Sequence, residues 1–254
     1  RLYSMILILG GTSDSLSICD KINELKNQPY ILSVTTDYGR ELAQQHAENV
    51  ILGKLGKEDM LKFIKDNNIV KIIDATHPYA VEVSKTAITC AKLLNIDYIR
   101  FERKSLIEEI DYDNKFIVDT IEEACEIANK IGTNIFIGTG SKNLNRFIEE
   151  ISDKNLVVRV LPTSEVILSC EKLGLSADNI VAMKGPFSQY INEETYKHYN
   201  IDLVITKESG IAGGFLEKVN ACKTFNIPVI IIKRESINYE NVFNDINKIK
   251  DILV

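Results

Sequence analysis

The chain has 254 residues, of which 45% are hydrophobic and 26% are charged, and its formal net charge is −6 at pH 7. This composition is typical of a globular protein that is large enough for two hydrophobic cores. No apolar run approaches the roughly 20 residues of a membrane span, no signal-peptide pattern opens the chain, and the acidic balance disfavours nucleic acid. We therefore predict a cytoplasmic protein with no nucleic-acid or membrane partner, and we expect the four residues before Met5 to be an extension without function.

The first half of the chain alternates short β-branched runs with amphipathic helical patterns. The predicted strands are Met5–Leu9, Tyr30–Thr35, Asn49–Leu52, Lys71–Asp74 and Tyr98–Phe101. The predicted helices are Ser15–Lys26, Lys57–Asn67 and Glu82–Leu94. This alternation is typical of a doubly wound unit with a parallel sheet. The stretch Glu102–Asn114 then loses the periodicity and carries mixed charge, which predicts a connection.

The second half restarts the same alternation. Its predicted strands are Lys115–Val118, Asn134–Ile137, Leu156–Leu161, Ile180–Met183, Leu203–Thr206 and Pro228–Ile232. Its predicted helices are Ile121–Ile131, Leu144–Ile151, Glu165–Leu173, Glu193–Tyr199, Phe215–Phe225 and Tyr239–Leu253. Because strongly twisted open sheets rarely exceed ~10 strands, two sheets are expected.

The predicted fold class is therefore α/β, with two Rossmann-like domains, each a mostly parallel sheet flanked by helices, and an interdomain cleft. The N-terminal domain is expected at 5–103, the connection at 104–114 and the C-terminal domain at 115–254. The closing helix has an alternative place against the N-terminal domain. The cysteines and histidines are scattered without metal-ligand spacing, so reduced thiols and no metal site are predicted.

Gly10-Gly11-Thr12-Ser13 follows the first predicted strand directly. Two glycines let the backbone approach a phosphate, and a hydroxyl and a helix amino terminus can bind the anion. Ser15 stands where the dinucleotide fingerprint G-x-G-x-x-G has its third glycine. A tight turn with a helix cap therefore stays the alternative to a nucleotide-binding loop.

Three loops in the second half have related chemistry. Gly138-Thr139-Gly140-Ser141-Lys142 combines glycines, hydroxyls and an ammonium, as a phosphate cradle does, but it lacks the Walker pattern. Thr206–Gly214 joins small residues to Lys207, and a flexible turn is the alternative there. Lys184–Ser188 places a rigid turn and an aromatic ring beside a cation.

The run Asp74-Ala75-Thr76-His77-Pro78-Tyr79-Ala80 ends an apolar strand with polar and ring-bearing residues. Ligands bind at the carboxyl ends of strands in open α/β sheets, so a site is predicted here. Capping of the next helix by Asp74 or Thr76, with Pro78 at its first position, is the alternative.

Six motifs follow one another in a recognisable order. They are Gly10-Gly11-Thr12, Thr35-Thr36-Asp37-Tyr38-Gly39, Asp74–Ala80, Arg100-Phe101-Glu102-Arg103, Gly185-Pro186-Phe187-Ser188 and Thr206–Gly210. Together they resemble the precorrin-6A reductase family of cobalamin (vitamin B12) biosynthesis, including its cobalt-precorrin-6A reductase branch. The resemblance covers Met5–Arg234.

The resemblance implies a two-domain oxidoreductase that uses NADPH or NADH to add a hydride to a macrocycle double bond of precorrin-6A, or of its cobalt form, giving the corresponding precorrin-6B. The substrate would be a tetrapyrrole with several carboxylates. Because the cofactor carries the hydride, the protein needs to position both ligands and exclude water.

The resemblance also implies site residues. Cofactor contacts would come from Gly10, Gly11, Thr12, Ser13, Thr36, Gly138, Thr139, Gly140, Ser141, Lys142, Lys207, Ser209 and Gly210. Substrate contacts would come from Tyr38, Gly39, Thr76, His77, Pro78, Tyr79, Arg100, Arg103, Lys184, Gly185, Phe187 and Ser188.

Some roles within this set stay open. His77 would donate a proton or only contact the substrate. Asp37 would accept from a free 2′-hydroxyl and favours NADH, whereas Lys142 or Arg40 would receive the 2′-phosphate of NADPH. Glu102 lies between Arg100 and Arg103, so a structural ion pair is the alternative to carboxylate binding there.

Other classes of function share these features. A tetrapyrrole methyltransferase that uses S-adenosylmethionine also presents glycine loops at strand ends. A non-catalytic two-domain sensor would bind a small ligand without turnover. A sugar-nucleotide epimerase or dehydrogenase ordinarily carries Y-x-x-x-K, whereas Tyr79 is followed at the fourth position by Val83.

Overall fold

The computed structural model of the chain describes residues 4–25, 28–210, 213–235 and 237–253. It divides the chain into unit 1, which comprises Arg1–Lys104 and Glu235–Val254, and unit 2, which comprises Ser105–Arg234. Parts of three predictions lie outside the described residues: the extension up to Tyr3, the predicted helix end at Lys26, and Ile211-Ala212 in the loop Thr206–Gly214.

Unit 1 is a parallel sheet flanked by helices. Its strands are β1 (Met5–Leu9), β2 (Tyr30–Val34), β3 (Val50–Leu52), β4 (Ile69–Asp74), β5 (Asp97–Phe101) and β12 (Val242–Phe243), in the order β12-β5-β4-β1-β2-β3. Its helices are α1 (Ser13–Leu25), α2 (Asp37–Ala43), α3 (Lys57–Asp66) and α4 (Val81–Leu94). The order reverses at β1 and β4, which makes their carboxyl ends the topological switch point.

The apolar run of β1 is explained by burial on both faces of the sheet. Ile6 and Ile8 pack in one hydrophobic cluster with Ile18 of α1, whereas Leu7 packs in a second cluster with Met60 of α3. Successive side chains of a strand point to opposite faces, so a strand covered by helices on both sides is apolar throughout.

Unit 2 repeats this architecture. Its strands are β6 (Lys115–Val118), β7 (Asn134–Ile137), β8 (Asn155–Val160), β9 (Ile180–Ala182), β10 (Leu203–Lys207) and β11 (Val229–Ile232), in the order β6-β11-β10-β7-β8-β9, all parallel. Its helices are α5 (Ile121–Ile131), α6 (Leu144–Glu150), α7 (Ser164–Lys172), α8 (Gln189–His198) and α9 (Phe215–Phe225). The switch point of unit 2 lies at β7 and β10.

The predicted α/β class, with two parallel sheets flanked by helices, is confirmed. The interdomain cleft stays a prediction. Within the described part of the chain, no helix is long and apolar enough to cross a membrane.

The C-terminal prediction of a helix over Tyr239–Leu253 is wrong. The segment forms β12 and then a 3-10 helix over Ile246–Asp251. Val242 pairs with Arg100 at the edge of the sheet, and the ring of Phe243 packs edge-on against Phe101 with centroids 5.0 Å apart. Pairing with an open sheet edge therefore outweighs the helical spacing of the apolar residues.

The predicted domain boundaries differ from the observed units on both sides of unit 2. Residues 235–254 belong to unit 1, and residues 105–114 belong to unit 2. Leu106, Ile110 and Tyr112 are buried in a hydrophobic cluster of unit 2, and the Tyr112 hydroxyl donates to the carbonyl of Ile227 at 2.7 Å. The charged residues between these apolar ones mask the periodicity in the sequence, although the apolar side chains pack on the sheet.

Candidate functional site

Two predicted site loops meet at the switch point of unit 1. The loop Gly10–Ser13 leaves β1, and the loop Ala75–Ala80 leaves the neighbouring strand β4. The hydroxyl of Thr12 donates to the carbonyl of Ala75 at 2.7 Å, and the amide of Ala75 donates to the carbonyl of Leu9 at 2.9 Å. The first loop is therefore tied directly to the second.

The glycine loop has the backbone that a close ligand approach requires. A Cβ on Gly10 would lie 2.7 Å from Leu32, and Gly11 has φ +97° with open space around its Cα. Ser15 is fully buried, and its hydroxyl donates to the carbonyl of Thr12 at 2.6 Å. The Thr12 hydroxyl in turn accepts from the Ser15 amide at 3.1 Å, so the loop is also a capped helix start.

The carboxylate of Asp74 lies at the centre of a buried network. It is 0% exposed, and its Oδ1 accepts from the amide and hydroxyl of Thr76 at 3.0 and 2.7 Å. Its Oδ2 accepts from the hydroxyls of Ser84 and Tyr98, both at 2.6 Å. Burial, followed by the negative charge of Asp74, raises the pKa of Tyr98, which keeps this phenol a donor.

Arg100 completes this network from the interior. It is 1% exposed, and its Nη1 donates to Asp74 Oδ1 at 2.8 Å. Its Nη2 donates to the Thr76 carbonyl at 2.9 Å, and its Nε donates to Glu102 at 3.2 Å. The ion pair that the sequence left as an alternative is therefore present, and the guanidinium fixes the backbone just before His77.

His77 is exposed on the same loop, and Pro78 and Tyr79 after it are half-buried. The Tyr79 amide donates to His77 Nδ1 at 3.2 Å, and the two rings lie 5.5 Å apart. Because Nδ1 accepts a hydrogen bond, the neutral ring carries its proton on Nε2.

The remaining predicted residues of unit 1 lie on α2 and after β5. Thr36 caps α2, and its hydroxyl accepts from the Gly39 amide at 3.0 Å. The Tyr38 side chain is 61% exposed. Arg103 Nε donates to Asp14, in the first turn of α1, at 3.0 Å.

Two predicted loops also meet at the switch point of unit 2. Gly138–Lys142 follows β7, and the loop that begins at Glu208 follows the neighbouring strand β10. The Gly138 amide donates to the Ile205 carbonyl at 2.8 Å. Gly140 has φ +83° with open space around it, as Gly11 has in unit 1.

Three cations lie close together in unit 2. Arg159 of β8 and Lys218 of α9 are buried, and Lys207 ends β10. Lys218 Nζ donates to the Gly138 carbonyl at 3.4 Å. Burial, with the nearby charges of Arg159 and Lys207, lowers the pKa of Lys218 to about 8, although Glu217 acts in the opposite direction. Burial and then Lys142 lower the pKa of Lys207.

The guanidinium of Arg159 is held by aromatic rings. Its Cζ lies 3.7 Å from the centre of the Phe187 ring and 5.1 Å from that of Phe136. Neither Nη atom has a hydrogen-bond partner among the residues that the structure describes. Burial lowers the pKa of Arg159 to about 10. A buried cation without acceptors is costly, which indicates a site prepared for an anion.

Uncharged polar atoms in unit 2 point to the same conclusion. The buried hydroxyls of Thr139, Thr206 and Ser209 and both amide atoms of Asn192 lack hydrogen-bond partners within the described ranges. Buried polar groups are usually hydrogen-bonded, so the unpartnered hydroxyls of β10 and of the loops after β7 and β10 favour a polar ligand there.

The G-P-F-S motif reaches this cation cluster through Phe187. Ser188 caps α8, and its hydroxyl accepts from the Ile191 amide at 3.3 Å. Lys184 and Gly185 are exposed. The motif therefore combines a helix start with the ring that covers Arg159.

The sequence-based prediction missed Arg159, Lys218 and Asn192. Arg159 interrupts the otherwise apolar end of β8, Leu-Val-Val-Arg-Val, and a charge in a buried strand is a usable signal. Lys218 and Asn192 lie on helices with ordinary polar spacing, so only the tertiary structure reveals their burial.

Three comparisons show which known proteins the chain is similar to. The family model described as Precorrin-6x reductase CbiJ/CobK matches residues 5–253. The cobalt-precorrin-6A reductase of Methanococcus maripaludis is 42% identical over 250 residues, 98% of each chain, and that of Methanocaldococcus jannaschii is 39% identical over 244 residues, 96% of each chain. A solved CobK precorrin-6A reductase superposes with a TM-score of 0.76 at 18% identity, covering 98% of this chain and 96% of the other, which supports the fold.

Proposed function

The chain belongs to the Precorrin-6x reductase CbiJ/CobK family, and from this premise we propose that it reduces a precorrin-6A macrocycle with NADPH or NADH in cobalamin biosynthesis. Two similar proteins over nearly the whole chain are named cobalt-precorrin-6A reductase, so the cobalt form is the proposed substrate. The product would be the corresponding precorrin-6B. The near-complete family match carries this proposal.

The cation cluster of unit 2 supports a substrate with several carboxylates. Arg159 holds two guanidinium nitrogens without acceptors, and Lys218 and Lys207 are near it. A carboxylate would satisfy the guanidinium bidentately. We place a macrocycle carboxylate there, with Thr139 or Ser209 as a hydroxyl donor to the same anion.

The glycine loop of unit 1 supports the dinucleotide. Gly11 is open and has positive φ, so the backbone there fits a phosphate at close range, and Gly10 lets the loop pack closely on Leu32. Thr36 and Asp37 at the end of β2 lie where this fold contacts the adenine ribose. The loops Gly138–Lys142 and Lys207–Gly210 stay the alternative place for the cofactor.

The bound nicotinamide would supply the hydride. The chain would position the two ligands, donate a proton to the macrocycle and exclude water from the site. His77 is the proposed proton donor to the macrocycle atom next to the reduced carbon. The imidazolium would give up its Nε2 proton and become neutral, which requires Nδ1 to be protonated in place of its hydrogen bond from the Tyr79 amide. In the proposal Arg100 acts on the substrate indirectly, because its guanidinium is occupied by Asp74, Thr76 and Glu102.

The test is anaerobic incubation of the protein with cobalt-precorrin-6A or precorrin-6A and with NADPH or NADH. We expect stoichiometric loss of the reduced-nicotinamide absorbance together with a shift of the macrocycle spectrum, and a faster reaction with the cobalt form. Absence of both changes with every pair would overturn the reductase proposal. Methyl transfer from S-adenosylmethionine under the same conditions would support the methyltransferase alternative instead.

A further inference from the structure

The segment around Tyr239 packs against the Asp74–Arg100 network. The rings of Tyr239 and Tyr98 stack with centroids 6.4 Å apart and an angle of 18° between their planes. Arg100 Cζ lies 5.4 Å from the centre of the Tyr239 ring. Immediately afterwards the chain enters β12, where the Asn241 carbonyl accepts from the Arg100 amide at 2.9 Å.

Tyr98 and Arg100, which the ring of Tyr239 contacts, both bind Asp74. Tyr98 donates its hydroxyl to Asp74 Oδ2, and Arg100 donates Nη1 to Asp74 Oδ1. Arg100 also donates Nη2 to the carbonyl of Thr76, the residue before His77. A continuous series of contacts therefore joins the ring of Tyr239 to the backbone of the site loop.

We propose that Tyr239 is a positioning residue for the loop Ala75–Ala80, and through it for His77. This inference rests on the proposed function where it concerns turnover. The face of the ring limits the conformations of the Arg100 guanidinium and shields its bonds to Asp74 and Thr76 from water. The carbonyl of Thr76 is then held in one place, and this restricts the position of the His77 imidazole, one residue later.

The hydrogen-bond geometry of Arg100 explains why a ring is needed at this position. Arg100 has hydrogen-bond acceptors for Nη1, Nη2 and Nε, but these acceptors lie on the edges of the planar group. The faces of a guanidinium cannot donate hydrogen bonds, and aromatic rings are their favoured neighbours. Tyr239 supplies such a ring from residues that are distant in sequence.

The test compares Tyr239→Leu, Tyr239→Phe and the control Phe243→Leu. Phe243 belongs to the same returning segment and is 7% exposed, and its ring packs on Phe101. We expect Tyr239→Leu to lower kcat roughly 10-fold or more while the Kd values for nicotinamide and macrocycle stay within about twofold. Tyr239→Phe keeps the ring but loses the hydroxyl that bonds Ser84, so it should retain clearly more of the wild-type kcat than Tyr239→Leu.

Hydrogen exchange of the ligand-free protein provides a readout that does not depend on turnover. Tyr239→Leu should speed exchange of the Thr76 amide, which donates to Asp74, whereas Phe243→Leu should lower the melting temperature without this local effect. Equal losses of kcat in Tyr239→Leu and Phe243→Leu, or unchanged exchange at Thr76, would overturn the positioning role. If the wild type lacks reductase activity, the proposed function fails, and the exchange result still decides whether Tyr239 fixes the loop.

Discussion

The two units share the order of five of their six strands but differ in how the buried arginine of each unit is paired. In unit 1 a buried carboxylate, Asp74, accepts five hydrogen bonds from described residues and pairs with Arg100. In unit 2 the buried charges are the cations Arg159 and Lys218 and the carboxylate of Glu208, which accepts from the Arg234 amide at 3.2 Å, and both Nη atoms of Arg159 lack hydrogen-bond partners within the described ranges. The buried guanidinium of unit 1 is paired internally, whereas the Nη atoms of the buried guanidinium of unit 2 have no acceptors among the described residues.

This difference shows how one architecture can be prepared for two tasks. A saturated buried network fixes the backbone that carries it, whereas unpaired buried charges reduce stability until a ligand arrives. Unit 1 is therefore suited to hold reacting groups in place, and unit 2 to bind a charged substrate. The following predictions test this division.

The largest expected effect is on the stability of unit 1. Asp74→Asn leaves the Arg100 guanidinium buried without its carboxylate partner, and removing one partner of such a pair typically costs about 3 to 5 kcal/mol. We expect the free energy of unfolding to fall by that amount in chemical denaturation. Glu240→Gln removes the exposed pair with Lys92 and should cost less than about 1 kcal/mol. Equal losses in the two variants would show that the buried Asp74 network stabilises the fold no more than an exposed ion pair does.

The second prediction concerns chemistry on the loop of unit 1. His77→Ala removes the proposed proton donor, so we expect kcat to fall roughly 100-fold at saturating substrate, with little change in cofactor affinity. Because His77 is exposed, the melting temperature should stay near that of the wild type. His198→Ala, at the exposed end of α8, is the matched control. Wild-type turnover in His77→Ala would reduce this residue to a substrate contact.

The third prediction concerns the cation cluster of unit 2. Arg159→Met should weaken macrocycle binding about 10- to 100-fold, since a hydrogen bond to a charged group contributes about 1.5 to 3 kcal/mol. The ligand-free variant should be as stable as the wild type or more stable, because the removed charge has no acceptor for its Nη atoms. Isothermal titration and chemical denaturation measure the two effects. Lys172→Met removes an exposed positive charge as a control, and a large loss of stability in Arg159→Met alone would contradict the comparison.

Much of the fold can be predicted because local patterns and tertiary burial agree in most elements. The predicted strand Met5–Leu9 coincides with β1, whose apolar side chains serve both faces of a covered sheet. Helix α2 was missed, because it spans only Asp37–Ala43 and contains Gly39, a weak helix former. The C-terminal segment shows the opposite failure, since its helical spacing was overruled by pairing with β5.

The candidate site also has features that the sequence predicts and features that it does not. Glycine loops at strand ends can be found from sequence, because strand order and turn chemistry together place them at a switch point. The environment of a charged side chain cannot be found in this way. Arg100 is occupied by Asp74 in the interior, whereas Arg159 lacks acceptors for its Nη atoms, and both are single arginines in apolar strands.

The last expected effect is a pH dependence that originates in Lys218. Its pKa in the folded protein is lowered from 10.5 to about 8, chiefly by burial. Between these values the unfolded chain binds a proton that the folded chain has released, so stability rises with pH. The slope from one such group is at most about 1.4 kcal/mol per pH unit.

Comparison with Lys218→Met isolates this contribution, because other groups that titrate in the same range are common to both proteins. The variant should be more stable than the wild type below pH 8, and the difference should shrink as the pH rises from about 8 towards 10.5. Lys223→Met, on the same helix but half exposed, should show no such trend. Macrocycle binding by the wild type should also weaken as the pH passes about 8, since the site then loses a positive charge. A stability difference that is constant across this range would mean that the pKa of Lys218 is not lowered by folding and that its buried charge does not destabilise the protein. The contrast between the two switch points would then rest on Arg159 alone.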